Sequence, residues 1–392
     1  MTDEEAARGG VRDALEGCLE RGEVGVQVAV YRGGDLILDE SIGLFAEGSS
    51  REVDSGTLFP IFSVTKILPI MAIHLQAERG LLSYDAPVAT YWPQYAANGK
   101  APITIGHVLA HRAGVPNMPD GVTIDNVGDW DWMTGRLAEV APLWPTDTRS
   151  SYLSYTYGWI LGEVVRRTDP RHRSFRQFVI DELFEPLGIT DFHLGIPDDD
   201  AVEGRIATLS NPGFKRASDG VAPFRSAAVP KGLETGPVFN DPRLRRAVFP
   251  SAGGIANARS VARLMAVIAG RGELGGVRLY SPERVDSFLA LREDPYVVDE
   301  VIGKAAIMSW SGFRMGSDHP NREPVVGTSP HVLSQSGAGG SVAWADPDER
   351  FSAAICHNRM FRPDSDRPDD HVFHDLGEAV RALITAGVSR RP

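Results

Sequence analysis

Ser63 and Lys66 stand three residues apart in the stretch Phe62-Ser63-Val64-Thr65-Lys66-Ile67-Leu68. On a helix that spacing brings both side chains to one face. The apolar run Val64, Ile67, Leu68, Met71 and Leu75 has helical period, and Thr57-Leu58-Phe59-Pro60-Ile61 before it reads as extended. Ser63 therefore falls where a helix begins. There its hydroxyl has two possible jobs. It can cap the helix by accepting a first-turn N–H. It can also act as a nucleophile, because free N–H groups and partial positive charge at a helix start favour an anion. Lys66, placed at that end of a mostly apolar helix, is pushed toward a neutral amine by burial and by the helix end, and a neutral amine can take a proton from Ser63. S-x-x-K alone recurs by chance, so its partners decide between the two jobs.

Two further stretches carry chemistry. Ser151-Tyr152-Leu153-Ser154-Tyr155-Thr156-Tyr157 places three tyrosines just ahead of a helix. A tyrosine there either packs its ring and bonds backbone, or serves as a base if a cation favours its phenolate. Leu333-Ser334-Gln335-Ser336-Gly337-Ala338-Gly339-Gly340-Ser341 is a small-residue run beside a strand. It reads either as a turn or as backbone whose N–H groups complete an oxyanion hole. Other patterns fail. His107 and His111 lack the Glu of a zinc-protease helix, and no G-x-S-x-G elbow, P-loop or G-x-G-x-x-G occurs. No metal or organic cofactor is expected.

The elements that must hold these residues are strands at both ends and helices between. Around Gly33-Gly34, 25–31 and 35–40 read as a hairpin; from about 305 to 356 the pattern is β-rich again; 4–21, 260–269 and 373–386 read as helices. Residues 81–245 show short helices separated by Pro- and Gly-marked loops, and 364–370 reads as an acidic, proline-containing loop. Pro69 should bend the Ser63 helix about one turn after Lys66. The expected fold is α/β (α+β): an antiparallel sheet built from both termini with flanking helices, formed by 1–80 and 246–392, with 81–245 inserted as a mostly helical region.

With 52 acidic against 40 basic residues, the net charge of −12 argues against nucleic acid or an anionic membrane as partner. No apolar run reaches bilayer length, and the acidic Met1-Thr2-Asp3-Glu4-Glu5 has no h-region, so no signal peptide is expected. Two distant cysteines, Cys18 and Cys356, fit a reducing cytoplasm.

Taken together, Phe62-Ser63-Val64-Thr65-Lys66, the segment Glu78-Arg79-Gly80-Leu81-Leu82, Ile103-Thr104-Ile105-Gly106-His107-Val108-Leu109, Tyr152-Leu153-Ser154 and Gln335-Ser336-Gly337 resemble the serine β-lactamase and penicillin-binding-protein-like superfamily. The likeness is to its class C-like hydrolases and family VIII carboxylesterases, and it spans nearly the whole chain. It implies Ser63 as nucleophile, Lys66 as proton acceptor, Tyr152 as partner base, and the N–H groups of Ser63 and Ala338 as oxyanion hole. Ser154, Gln335, Ser336 and Gly337 would meet substrate. Two departures stand out: Ser154 replaces the family's Asn, and Gln335 replaces its Lys or His. Gln335 brings no charge to Tyr152 or to a β-lactam carboxylate. The expectation is thus a carboxylesterase acting through a Ser63 acyl-enzyme, weak or inactive on β-lactams, with activity rising toward alkaline pH. An acyltransferase of the same fold and a binding protein without turnover are the alternatives.

Overall fold

The structure is a computed structural model that describes residues 3–211, 222–360 and 367–386. Residues 212–221 of the inserted region and the first part of the acidic loop, 364–366, lie outside the described residues.

α1 (Asp3–Glu20) leads into the hairpin of β1 (Gly25–Arg32) and β2 (Asp35–Gly43). The chain then forms β3 (Phe59–Pro60), a 3-10 turn (Phe62–Lys66) and α2 (Ile67–Glu78). The inserted part holds α3 (Val88–Tyr91), α4 (Ile105–Leu109), α5 (Trp130–Glu139), α6 (Thr156–Thr168) and α7 (Phe175–Val179), which continues as a π-turn. There follow β4 (Phe192–Leu194), α8 (Asp200–Glu203), α9 (Arg225–Ala228) and α10 (Pro242–Arg246). β5 (Gly254–Ala256), α11 (Ala258–Ala269), the small hairpin of β6 (Glu273–Leu274) and β7 (Val277–Arg278), and α12 (Pro282–Ser287) return the chain to the sheet. β8 (Arg314–Met315), β9 (Leu333–Ser336), β10 (Val342–Asp346), β11 (Phe351–His357) and α13 (His374–Ala386) complete it.

The main sheet runs β2-β1-β11-β10-β9-β8, antiparallel throughout, so both ends of the chain build it. Its strands alternate between two cores. Val26, Val28 and Val30 of β1 face a layer made by α1 and α13, while Ala29 and Tyr31 face the larger core around α2, α6 and α11. That period of two fixes the register, because a slip of one residue would turn each valine to the wrong layer. A second sheet, β3-β5-β4, joins the inserted part to the strand that precedes Ser63.

Two expectations change. The apolar stretch 305–310 makes only isolated bridges, among them Met308 with Arg314, because the chain doubles back at Ser309 and Gly312. The Ser309 and Ser311 hydroxyls bond each other, and Ser311 Oγ also donates to the Phe288 carbonyl, local bonds that compete with a ladder. Pro69 falls in the first turn of α2, where a missing N–H is tolerated, so it gives no reason for a bend farther on.

α2 and α6 are buried along almost their whole length, as helices inside a core should be. At the start of α6, a Cβ on Gly158 would lie 2.5 Å from the carbonyl carbon of Pro250 and 2.7 Å from the nitrogen of Ser251. Both contacts are backbone, so neither can swing aside. Gly158→Ala should therefore destabilise the protein by about 1–3 kcal/mol, although alanine is the better helix former. Thermal unfolding reads this; a more stable variant would show that the 250–251 turn yields.

Candidate active site

Ser63 sits in the 3-10 turn between β3 and α2. The cap position of that turn is Ile61, and no side chain caps it. The capping job is therefore not the one Ser63 does. The turn is pinned from two sides. Ile61 N–H donates to the Gly254 carbonyl at 3.0 Å, and Gly254 N–H donates to Thr65 Oγ1 at 2.9 Å. On the other side Gly337, just past β9, packs so closely that a Cβ would lie 2.5 Å from the Ile61 carbonyl oxygen. Phe62, immediately before Ser63, is held at φ +47. For an aromatic residue that conformation costs on the order of 1–3 kcal/mol and persists only where the surroundings impose it.

Lys66 is fully buried. Its Nζ lies 3.2 Å from Ser63 Oγ, 2.7 Å from the Ser154 carbonyl oxygen and 3.1 Å from the Ser251 carbonyl oxygen. Among the described residues it has no carboxylate partner. Burial pushes its pKa well below the usual lysine value, and the charge of Arg314 pushes it the same way. A neutral amine has two N–H donors and one lone pair. The two carbonyls take the donors, which leaves the lone pair for the Ser63 hydroxyl.

The three tyrosines separate by role. Tyr155 donates its hydroxyl to the Leu233 carbonyl at 2.7 Å, and Tyr157 donates to the Leu109 carbonyl at 3.4 Å. Tyr152 instead shares a side-chain hydrogen bond with Ser63. Lys66 Nζ lies 4.8 Å from the centre of its ring. Burial raises the Tyr152 pKa; Arg314 and the Ser63 hydrogen bond work against that, and Asp299 adds to it. Burial thus favours the phenol over the phenolate at Tyr152.

Residues not singled out in the sequence hold this arrangement. Ser251 Oγ accepts the Gly158 N–H at 2.7 Å and donates to the Tyr155 carbonyl at 2.6 Å, which fixes the carbonyl that Lys66 uses. Asp299 accepts the Tyr152 N–H at 3.0 Å and the Ser150 hydroxyl at 2.8 Å. His111 lies between the Tyr152 and Tyr157 rings, each 4.6 Å away between centroids. Its Nδ1 accepts the Leu153 N–H at 3.0 Å, and burial keeps it neutral. His107 closes a capping box with Thr104. Among the described residues no group of three or more His, Cys, Asp or Glu is placed to hold a metal ion.

A Ser-Lys-Tyr cluster with its lysine and tyrosine buried, at a helix start beside a sheet made from both termini, can be set against known proteins. The Beta-lactamase family model matches residues 11–377. This chain belongs to that family. It is 31% identical over 354 residues to LipL of Mycobacterium tuberculosis, named an esterase/beta-lactamase, covering 86% of this chain and 78% of that protein. A penicillin-binding protein homologue from Caulobacter crescentus superposes with a TM-score of 0.83 at 30% identity, over 96% of this chain and 97% of the other. A family VIII carboxylesterase superposes with a TM-score of 0.82, also at 30% identity, over 97% and 96% of the two chains. The beta-lactamase/transpeptidase-like fold thus spans nearly the whole chain.

Within this family frame the third stretch needs a correction. Gln335 is wholly buried, and its Nε2 donates to the Gly312 carbonyl at 3.2 Å. It has no exposed surface, and its Oε1 is buried without a hydrogen-bond partner, so its expected role of meeting substrate has no open face in this structure. Ser154 contributes its backbone carbonyl, to Lys66. Ser336 and Gly337 remain partly exposed. Among the described residues, neither the Ser63 N–H nor the Ala338 N–H donates to a backbone carbonyl, whereas the Gly337 N–H is taken by Ser341 at 2.6 Å.

The geometry separates charge from basicity at Lys66. Lys66→Arg keeps a cation that does not deprotonate near neutral pH. Lys66→Met keeps bulk and loses the base. Both should lower ester turnover by about 10²–10⁴-fold. Activity retained in the arginine variant would show that charge alone matters.

Proposed function

We propose that this protein is a serine carboxylesterase of the β-lactamase-like type, working through a Ser63 acyl-enzyme. The observation that carries the reading is the surroundings of Lys66 Nζ: two carbonyl oxygens that absorb its N–H groups and Ser63 Oγ at 3.2 Å. Such an amine is already poised to accept a proton. Ser63 Oγ attacks the ester carbonyl carbon as its proton passes to Lys66. The free N–H groups of Ser63 and Ala338 receive the oxyanion. As the C–O bond to the leaving group breaks, the Tyr152 phenol protonates the departing alkoxide and regains its proton from Lys66. Water then enters by the reverse sequence and releases the acid. The esterase names of relatives sharing 30–31% of residues agree with this reading.

Substrate preference follows from what borders Tyr152. Ala228 and Val301 pack with it, and Phe224 and Ile302 flank them, an apolar wall suited to a neutral ester. The third-stretch Gln335 is neutral and enclosed. β-Lactam turnover should be weak or absent. The two cysteines are free and buried, which supports a cytoplasmic setting as part of the proposal.

The test uses a p-nitrophenyl ester with intact-mass detection. Wild type should show a burst and an acyl adduct on Ser63, while Ser63→Ala should lose the adduct and at least about 10³-fold in turnover. Unchanged turnover in Ser63→Ala would overturn the nucleophile. Formation of a new ester in the presence of excess alcohol, in place of the acid, would reassign the protein as an acyltransferase.

A further inference from the structure

Tyr152 stands on a stretch without regular structure. Residues 151–153 belong to no helix and no strand, so no ladder holds their N–H groups. All three are nevertheless taken. Ser151 N–H donates to the His111 carbonyl at 3.0 Å, Tyr152 N–H to Asp299 Oδ1 at 3.0 Å, and Leu153 N–H to His111 Nδ1 at 3.0 Å. His111 therefore grips the backbone on both sides of Tyr152, once through its carbonyl and once through its ring. That ring also lies against the Tyr152 ring, 4.6 Å away between centroids with 38° between planes. Tyr157 stacks behind it at 4.6 Å and 25°, with its own hydroxyl on the Leu109 carbonyl.

Two features of His111 disfavour the place it holds. Its backbone is left-handed, at φ +57, a conformation uncommon outside glycine. Its Nε2 is buried and has no hydrogen-bond partner among the described residues. Because Nδ1 accepts from Leu153, Nε2 carries the ring proton, and a buried donor goes unmet. Strained backbone and unmet polar atoms persist where the surroundings impose them, and they gather at active sites. We infer that His111 is the positioning residue of Tyr152, clamping the backbone on both sides of it and one face of its ring so that the phenol hydroxyl meets Ser63 Oγ. The inference rests on the serine-esterase reading, in which that hydroxyl protonates the leaving alkoxide.

The Tyr152 hydroxyl lies at the far end of its ring, so a small turn of the backbone at 151–153 becomes a larger shift at the oxygen. A misplacement of about 1 Å at a reacting group costs about 10²-fold in rate. How much of that is felt depends on the leaving group. An alkoxide is a poor leaving group and needs the Tyr152 proton as its C–O bond breaks. A p-nitrophenolate is stable as an anion near neutral pH and departs without one. Loss of the clamp should therefore weigh more on alkyl esters than on aryl esters. A merely structural role of His111 would lower both alike, through the folded fraction.

The experiment compares kcat/KM, which reports acylation, on ethyl butyrate and p-nitrophenyl butyrate, two esters with one acyl group. The proteins are wild type, His111→Ala, His111→Asn, Tyr152→Phe and the double variant Tyr152→Phe with His111→Ala. Active sites are counted with a fluorophosphonate by intact mass, so that unfolded protein drops out. His111→Ala should lower the ratio of alkyl to aryl kcat/KM by about tenfold or more. Asparagine offers a side-chain carbonyl to the Leu153 N–H and tolerates a left-handed backbone, so His111→Asn should recover much of the ratio. In the Tyr152→Phe background, removing His111 should leave the ratio where Tyr152→Phe alone puts it, because His111 acts through that hydroxyl. An unchanged ratio in His111→Ala, no recovery in His111→Asn, or a further fall in the double variant would overturn the inference while leaving the esterase reading intact. A Tyr152→Phe ratio equal to that of wild type would instead remove the proton-donor role from Tyr152, and the inference with it.

Discussion

A lysine amine buried without a counter-charge is the constraint on which this site depends. Transferring an ammonium into such a place without a carboxylate is costly, so the group neutralises. Burial that would be a defect elsewhere is here the source of a base. It requires that nothing acidic approach Lys66 Nζ, and that its N–H groups still find acceptors. The carbonyls of Ser154 and Ser251 meet the second need without breaching the first.

Those two carbonyls come from distant parts of the chain, and much of the local packing exists to bring them together. Ser154 precedes α6, and Ser251 precedes β5. The Ser251 hydroxyl bridges Gly158 and Tyr155, tying one segment to the other, and the absence of a side chain at Gly158 permits the approach. β5 then reaches back through Gly254 to Thr65, so the segment that places the Lys66 acceptor also braces the turn that carries Ser63. The strained backbone at Phe62 is held within this same frame, with its ring against Phe239 at 4.8 Å. The inserted helices and the two-ended sheet therefore meet at one lysine.

Some of this is legible in the sequence and some is not, for physical reasons. The three-residue spacing of Ser63 and Lys66 and the apolar period after them are local, and local pattern is what sequence carries well. The valines of β1 and the run at 351–356 show their strands because each face packs on a different layer. The tyrosine cluster could be recognised, but which ring faces Ser63 depends on contacts with Leu233, Leu109 and Asp299, remote in sequence. Ser251 gives Lys66 a backbone carbonyl, which any residue possesses, and its hydroxyl meets Gly158 and Tyr155, which are remote in sequence. Arg314 and Met315 form a two-residue strand in a stretch expected to be longer β structure, because the chain just before them doubles back at Ser309 and Gly312. Gln335 marks a missing charge in the sequence; the structure encloses it and places a cation on the neighbouring strand.

The charge state of Lys66 is the point on which the account stands, and it can be observed without substrate. The chain contains five lysines, which makes a lysine-selective carbon label at Cε readily assignable, with Lys66→Met identifying the signal. The Cε shift of Lys66, followed by NMR from pH 5 to pH 11, should report a proton lost at a pH well below that at which the solvent-exposed lysines lose theirs. A Lys66 signal that remains that of an ammonium up to the ordinary lysine range would contradict the account, whatever the protein turns over.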